Sequence, residues 1–185
     1  MDIEDFHHFF DCCVGGWVSE RTYHYVPQGE IERSRTEFQV AAIPLDLKHK
    51  VLQDNQYAIP PLVEDLPGFR LGFHTVSETG ETVSQELRML FVPQAQQDGV
   101  LVGDYLRDRA YEEDVPIVAQ FRYTPATREL LMTTRYTRVV SVDSITLVNP
   151  QLRVRRILNY RRPPEGQPLD TLVLAGFGVE QKEAP

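Results

Sequence analysis

The part of the chain that follows Gly68 alternates between strand-like runs and turns. Turn-forming residues separate the runs, for example Glu78-Thr79-Gly80, Asp98-Gly99 and Asn149-Pro150. The predicted strands cover residues 69–76, 82–92, 99–109, 115–124, 128–137, 139–148, 152–160 and 169–180. Because short connections join antiparallel neighbours, this pattern predicts an antiparallel meander.

A long series of consecutive strands must protect its edges, and closure into an up-and-down β-barrel does so within one domain. We therefore predict a mostly β fold, with residues 1–185 forming a single closed barrel that can hold one small ligand. The length of 185 residues and the hydrophobic content of 42% are sufficient for one core. A flattened β-sandwich is the alternative.

The N-terminal third adds helices to this meander. The predicted elements are a helix over 2–14, strands over 17–26 and 31–43, and a short helix over 44–55. Asp2 is positioned to cap the first helix, and Gly15-Gly16 is expected to end it. The apolar stripe of this helix is predicted to contain Ile3, Phe6, Phe10 and Cys13.

Charge and composition exclude several classes of protein. The net charge of -8 disfavours nucleic acid as a partner, since a polyanion needs a basic face. No apolar run approaches the roughly 20 residues that span a bilayer, and the acidic N-terminus does not resemble a secretory signal, so we expect a cytoplasmic protein.

The cysteines and histidines do not predict a metal site. Cys12 and Cys13 are adjacent, so they cannot form a disulfide that spans the fold, and we expect them at core and surface positions of one helix. His7 and His8 point in different directions on that helix. We expect neither a metal nor a cofactor.

Arginine recurs at every second position in the strand that follows Asn149-Pro150. Arg153 and Arg155 therefore share one face of this strand, and Asp143 lies across the preceding hairpin. Two guanidinium groups side by side suit a ligand that carries two acid groups. The alternative is that these arginines are solvated residues of an exposed strand.

Several motifs occur in one order over nearly the whole chain. They are Gly16-Trp17-Val18-Ser19-Glu20-Arg21-Thr22-Tyr23-His24, Phe91-Val92-Pro93, Tyr105-Leu106-Arg107-Asp108-Arg109, Asn149-Pro150-Gln151-Leu152-Arg153-Val154-Arg155 and Gly176-Phe177-Gly178-Val179-Glu180-Gln181-Lys182. In this order they resemble the S/U-type phycobiliprotein lyases.

The resemblance implies a lipocalin-like or fatty-acid-binding-protein-like barrel that binds an open-chain tetrapyrrole, either phycocyanobilin or phycoerythrobilin. This bilin would be passed, through a thioether, to a cysteine of an apo-phycobiliprotein subunit. The two propionates of a bilin match the two guanidinium groups of Arg153 and Arg155. A homodimer, or a heterodimer with a related lyase subunit, is also implied.

The resemblance also implies roles for individual residues. Catalytic roles fall on Asp143 and His24, and bilin contacts fall on Arg21, Phe73, Arg153 and Arg155. Asp143 stands where the family often has a glutamate that pairs with the pyrrole nitrogens and activates the bilin. The alternative role for Asp143 is to hold Arg153 or Arg155 in place. Arg21 and His24 are three residues apart, so both face one pocket only if a bulge intervenes.

Some positions depart from the family pattern. Residues 74–78 contain no tryptophan after Phe73, and Arg135 and Thr137 replace residues that are often acidic. These departures leave open a bilin-binding partner subunit with little activity of its own. The barrel alone would also permit a carrier of fatty acid or another small acid.

Overall fold

The computed structural model describes residues 3–109 and 113–183. Within these residues the strands are β1 Gly15–Tyr25, β2 Glu30–Ala42, β3 Gly68–Ser77, β4 Thr82–Gln97, β5 Val100–Arg107, β6 Ile117–Thr124, β7 Glu129–Arg135, β8 Val139–Asn149, β9 Leu152–Arg161 and β10 Leu172–Lys182. The helices are α1 Ile3–Cys13 and α2 Leu45–Asp54, with single 3-10 turns at Val63–Asp65 and Pro125–Thr127.

The strands form one closed antiparallel barrel. Each strand pairs with its neighbours in sequence, and β1 also pairs with β10, from Trp17 opposite Lys182 to Tyr25 opposite Leu174. This last pairing removes the sheet edges, so the predicted up-and-down barrel is confirmed and the sandwich is wrong.

The strand β4 is longer than its pattern predicts. It was expected to end at residue 92 but continues to Gln97, and its register to β5 shifts between Pro93 and Ala95. Proline has no N–H to donate to the ladder, so it breaks a regular strand, whereas a bulge accommodates it.

The helix α1 matches the predicted helix over 2–14 to within two residues, although Asp2 lies outside the described residues. Ile3 is exposed rather than part of the apolar stripe, while Phe9 and Cys12 are buried in addition to the predicted residues. Both cysteines are therefore core residues, and the surface position expected for one of them is wrong. The buried surface is wider than one stripe because rings from several strands surround the helix.

The rings of α1 close one side of the barrel interior. The ring of Phe6 stacks on Phe121 at 5.2 Å, and the ring of Phe10 lies 4.9 Å from Phe69 and 4.6 Å from Phe91. Tyr123 completes this set, which we call the aromatic wall: Phe6, Phe10, Phe69, Phe91, Phe121 and Tyr123.

The helix α2 packs on the outside of the barrel, as a cover over β4 and β5. Val51 and Leu52 are fully buried against Leu90 and Leu106, which point outward from their strands. The predicted short helix over 44–55 is thus confirmed as Leu45–Asp54. In the described parts of the chain, no helix combines the length and the apolar character that crossing a bilayer would need.

Candidate functional site

Charged side chains from β1, β8, β9 and β10 point into the barrel, opposite the aromatic wall. We call this group the charged wall: Arg21, Asp143, Arg153, Arg155 and Glu180. It contains three guanidinium groups and two carboxylates, so its formal charge is one positive unit.

The best shielded pair of the charged wall is Arg153 with Glu180. Arg153 Nε donates to Glu180 Oε2 at 2.5 Å, and the exposed fractions of the two side chains are 5% and 0%. The guanidinium carbon of Arg153 lies 4.4 Å from the ring centroid of Trp17 and 5.1 Å from that of Phe38. A carboxylate and two aromatic rings therefore hold the guanidinium group of Arg153 in place.

Arg21 reaches the same carboxylate from the neighbouring strand. Its Nη2 lies 3.4 Å from Glu180 Oε1, and its other nitrogens donate to the hydroxyl groups of Ser19 and Tyr23. This approach requires Gly178 on β10, because a Cβ there would lie 2.9 Å from Ser19 Oγ and 3.1 Å from Arg21 Cγ. The glycine thus leaves room for the arginine to cross β10.

Glu180 stays ionised although no water reaches it. Burial alone would raise its pKa, but the charges of Arg153, Arg155 and Arg21 outweigh burial and hold the pKa below the ordinary value. The carboxylate is therefore a fixed negative charge of the folded protein.

The second pair, Arg155 with Asp143, is bidentate. Arg155 Nε donates to Asp143 Oδ1 at 3.0 Å, and Nη2 donates to the other carboxylate oxygen. Burial lowers the pKa of Arg155, but the charge of Asp143 and its hydrogen bonds outweigh burial and raise it. In this structure Asp143 thus holds Arg155 in place, which is the alternative role considered for it.

The two pairs differ in how far water reaches them. The exposed fractions are 21% for the Arg155 side chain and 17% for Asp143, and Arg21 keeps 13%. These three groups are accessible from within the barrel, whereas Arg153 and Glu180 are not. A ligand that enters from water therefore meets Arg21, Arg155 and Asp143 first.

Most residues that the sequence assigned to the site point into the barrel. Arg153 and Arg155 share the inner face of β9, so the interpretation of them as solvated residues of an exposed strand is wrong. Phe73 on β3 lies opposite the buried Phe38 of β2 and packs against the core.

His24 is the exception. The pairing of β1 with β2 and β10 is continuous over this residue, without the bulge that would turn it inward. Since Arg21 points inward, the alternation of a regular strand places His24 on the outer face. The structure does not bring His24 to the charged wall.

Glu180 is the site residue that the sequence reasoning missed. A signal was present in the pattern of β10, where every second position on one face is Gly176, Gly178 or Glu180. Glycine inside a strand marks the close approach of another group. An acidic residue in the same row can form an ion pair with a basic group that approaches there.

The cysteines and histidines of α1 do not form part of this site. Cys12 and Cys13 are buried free thiols, and burial raises the pKa of the Cys13 thiol. His8 Nε2 lies 3.7 Å from Cys12 Sγ. Among the described residues, no group of three or more His, Cys, Asp or Glu side chains is placed to hold a metal ion.

Comparison with known proteins identifies the family. A family model described as CpeS-like protein matches residues 5–182. The chain is 60% identical over 180 residues to Chromophore lyase CpcS/CpeS 1 of Synechococcus sp. (strain JA-3-3Ab), with 97% of both chains covered. It is 25% identical over 155 residues to Chromophore lyase CpcS/CpeS of Thermosynechococcus vestitus, with 84% of this chain and 82% of that one covered.

A solved structure shares the fold. The S-type phycobiliprotein lyase CPES from Guillardia theta superimposes with a TM-score of 0.77 at 16% identity, over 97% of this chain and 93% of that one. Together with the family match over residues 5–182, this similarity bears out the resemblance that the sequence motifs carry. The chain belongs to the CpeS-like protein family.

Proposed function

We propose that this protein is a chromophore lyase. It binds an open-chain tetrapyrrole, phycocyanobilin or phycoerythrobilin, inside the barrel and attaches it through a thioether to a cysteine of an apo-phycobiliprotein subunit. The name of the relative that is 60% identical supports the activity. The observation that carries the proposal for this chain is the charged wall, which combines guanidinium groups for two propionates with a carboxylate within reach of the same ligand.

The accessible arginines are the propionate contacts. Arg21 and Arg155 are open to the barrel interior, and a guanidinium group binds a carboxylate through paired charge-assisted hydrogen bonds. Arg153 is a positioning residue instead, because it is shielded by Trp17 and holds the carboxylate that orients Arg21. Phe73, on the inner face of β3, offers an apolar surface to the pyrrole rings.

Asp143 changes partner when the bilin arrives. A propionate that binds Arg155 competes for the nitrogens that now donate to Asp143. The carboxylate of Asp143 then accepts from the pyrrole N–H groups and favours the cationic, more electrophilic bilin. Both roles considered for Asp143 are thus consecutive states of one side chain.

The attachment step itself needs no oxidant. The acceptor thiolate forms a C–S bond to the ring A side chain, whose double bond is consumed, and the tetrapyrrole takes up the proton that the thiol loses. The lyase supplies an anchored bilin and a carboxylate that stabilises its protonated form.

The test compares an Asp143→Asn variant with the unmodified protein. Asparagine keeps the shape and one acceptor but loses the charge, so we expect bilin affinity to stay within about threefold and the transfer rate to fall at least about 100-fold. Absorbance titration with bilin measures the affinity, and attachment to an apo-subunit measures the rate. Asp46→Asn, at an exposed position in the first turn of α2, is the matched control.

Other outcomes would reassign the protein. A parallel loss of affinity and rate would leave Asp143 only the role of holding Arg155. Attachment that requires a related subunit would indicate a non-catalytic partner, and a bilin spectrum that does not change on mixing would indicate a carrier of another small acid. The cytoplasmic location, the choice of bilin and the assembly as a homodimer or as a heterodimer with a related lyase subunit stay predictions.

A further inference from the structure

Three buried side-chain oxygens on the inner face of the barrel accept no hydrogen bond from any described residue. They are Ser34 Oγ, Gln85 Oε1 and Asn159 Oδ1. A buried acceptor without a donor costs free energy, so folded proteins contain few of them and each one requires an explanation. We call these three atoms the orphaned acceptors.

The orphaned acceptors lie beside residues that the proposed function places at the ligand. The serine is directly opposite Arg21 in the pairing of β1 with β2, and the glutamine is directly opposite Phe73 in the pairing of β3 with β4. Asn159 shares the inner face of β9 with Arg155, four residues further along the strand. A ligand bound among these residues therefore lies next to all three acceptors.

A ligand that satisfies these oxygens must carry hydrogen-bond donors. An ionised fatty acid carries none, because a carboxylate only accepts hydrogen bonds. An open-chain tetrapyrrole carries N–H groups on its inner pyrrole rings and on its two terminal rings, which are lactams. The orphaned acceptors therefore favour a tetrapyrrole over a fatty acid as the occupant of the barrel.

Asn159 is placed for the terminal ring at the entrance of the barrel. The helix α1 fills the end at which β9 begins, where Lys182, near the end of β10, donates to the Cys12 carbonyl oxygen. Bilin and the acceptor thiol therefore enter at the end where β9 finishes with Arg161. Asn159 lies two residues before that end, about 13 Å beyond Arg155 along the strand.

We propose that Asn159 binds the lactam of bilin ring A, the ring that receives the acceptor thiol. In a lactam the N–H and the C=O lie on the same edge of the ring, and the carboxamide of asparagine offers both a donor and an acceptor, so the two groups form a pair of hydrogen bonds. The side chain of Asn159 is partly exposed and its terminal torsion is soft, so the amide turns its oxygen toward the ligand. Because this contact presupposes that the protein binds bilin, it rests on the proposed function.

The register of β8 and β9 supports this arrangement. Asp143 lies opposite Ile157, the inner residue between Arg155 and Asn159. A bilin whose propionate binds Arg155 therefore has its nitrogens near Asp143 and a terminal ring near Asn159, in the order in which these groups follow one another along the ligand. The contact with Asn159 holds ring A at the entrance, where the thiol arrives.

The test replaces Asn159 with leucine, which has a similar size but neither a donor nor an acceptor. We expect the urea midpoint of Asn159→Leu to stay the same or to rise, because the change removes an orphaned acceptor from the fold. The Kd for phycocyanobilin, measured by absorbance titration, should rise at least about tenfold. The lactam carbonyl stretch of the bound bilin should move to higher infrared frequency, as a carbonyl stretch does when the oxygen loses a hydrogen bond.

Gln120→Leu is the matched control, because it removes a carboxamide from the exposed outer face of β6 and should change the Kd by less than about twofold. An unchanged Kd or an unchanged carbonyl stretch in Asn159→Leu would overturn the lactam contact and leave the lyase function in place. Unmodified protein that gives no absorbance change with bilin would overturn both. Should Asn159→Leu have a lower urea midpoint, Asn159→Ser, which is too short to reach the lactam, repeats the titration, and an unchanged Kd there overturns the contact.

Discussion

The aromatic wall and the charged wall face each other across the same barrel, but they are packed in opposite ways. In the aromatic wall, rings from α1 fill the spaces between rings of the strands, with centroids 4.6 to 6.3 Å apart. In the charged wall, glycines at 176 and 178 replace bulky side chains, and Arg21, Asp143 and Arg155 remain partly open to water. Apolar packing stabilises the first wall, while the second holds charges ready for a ligand.

The two walls therefore respond differently to substitution. Loss of a ring from the aromatic wall removes burial that the fold needs, but it changes no group that contacts a carboxylate ligand. Loss of Glu180 from the charged wall changes both the fold and the ligand site, because this acid holds Arg153 and Arg21. Measurements of stability and of bilin affinity on the same variants test this difference.

The largest expected effect is that of Phe6→Ala. Phe6 is fully buried in α1 and contacts the rings of Phe121 and Phe10, so its removal leaves a cavity. We expect the free energy of unfolding to fall by about 4 kcal/mol, measured by urea denaturation. Bilin affinity of the protein that remains folded should change less than about threefold.

Val118→Ala is the control for this variant, because Val118 is exposed on β6 and should lose less than about 0.5 kcal/mol. A large loss of bilin affinity in folded Phe6→Ala would show that the aromatic wall contributes to the ligand site as well as to stability.

Sequence patterns predicted the fold because strand alternation and turn residues are local signals. The period of two placed β1, turn residues placed the eight strands after Gly68 close to their observed bounds, and edge protection favoured closure. The failures were at places where distant groups decide the outcome. The strand predicted over 82–92 was too short, because a bulge against β5 after Pro93 lets β4 continue to Gln97.

The same distinction applies to the site. Alternation in β9 predicted that Arg153 and Arg155 share a face, and the hairpin predicted that Asp143 lies beside them. That Glu180, 27 residues after Arg153, is its partner depends on the register between β9 and β10, which no local pattern gives. The side chain of His24 lies on the outer face of the barrel, because β1 pairs with both neighbouring strands without a bulge.

The second prediction concerns Glu180→Gln. This change leaves Arg153 buried without its negative partner, and breaking a buried ion pair on one side is strongly destabilising. We expect a loss of about 3 kcal/mol in the free energy of unfolding at pH 7, against about 1 kcal/mol for Asp143→Asn, whose pair is partly exposed. Bilin affinity should fall too, since Glu180 also orients Arg21.

This contribution depends on pH in a defined direction. Because the pKa of Glu180 is lower in the folded state than in the unfolded state, its stabilising effect is present above the ordinary glutamate pKa of about 4.3. It is lost as the pH falls from there through the lowered pKa. The difference between unmodified protein and Glu180→Gln should therefore be largest above about pH 4.3 and shrink as the pH falls below it. A constant difference would assign the effect to packing rather than charge.

The smallest expected effect is that of Tyr123→Phe, which separates the polar and apolar parts of one residue of the aromatic wall. The Tyr123 hydroxyl donates to the carbonyl oxygen of Asp5 at 3.2 Å, in the first turn of α1. Burial, reinforced by the nearby charge of Asp5, raises the pKa of this phenol to about 12, so it remains a neutral donor at physiological pH. Phenylalanine keeps the ring contact with Phe6, which lies at 5.3 Å.

Only the hydrogen bond and a small volume are lost, so urea denaturation should show a decrease of about 1 kcal/mol. Bilin affinity and transfer rate should remain unchanged, because the hydroxyl bonds to the backbone of α1 and not to a residue of the charged wall. A decrease above about 2 kcal/mol would mean that the hydroxyl, and not the rings alone, fixes α1 against the strands. Altered transfer at unchanged stability would instead show that a shift of α1 changes the charged wall. The contacts that connect them are the hydrogen bond from Trp17 Nε1 to the Cys13 carbonyl and the stacking of Arg153 on the same indole.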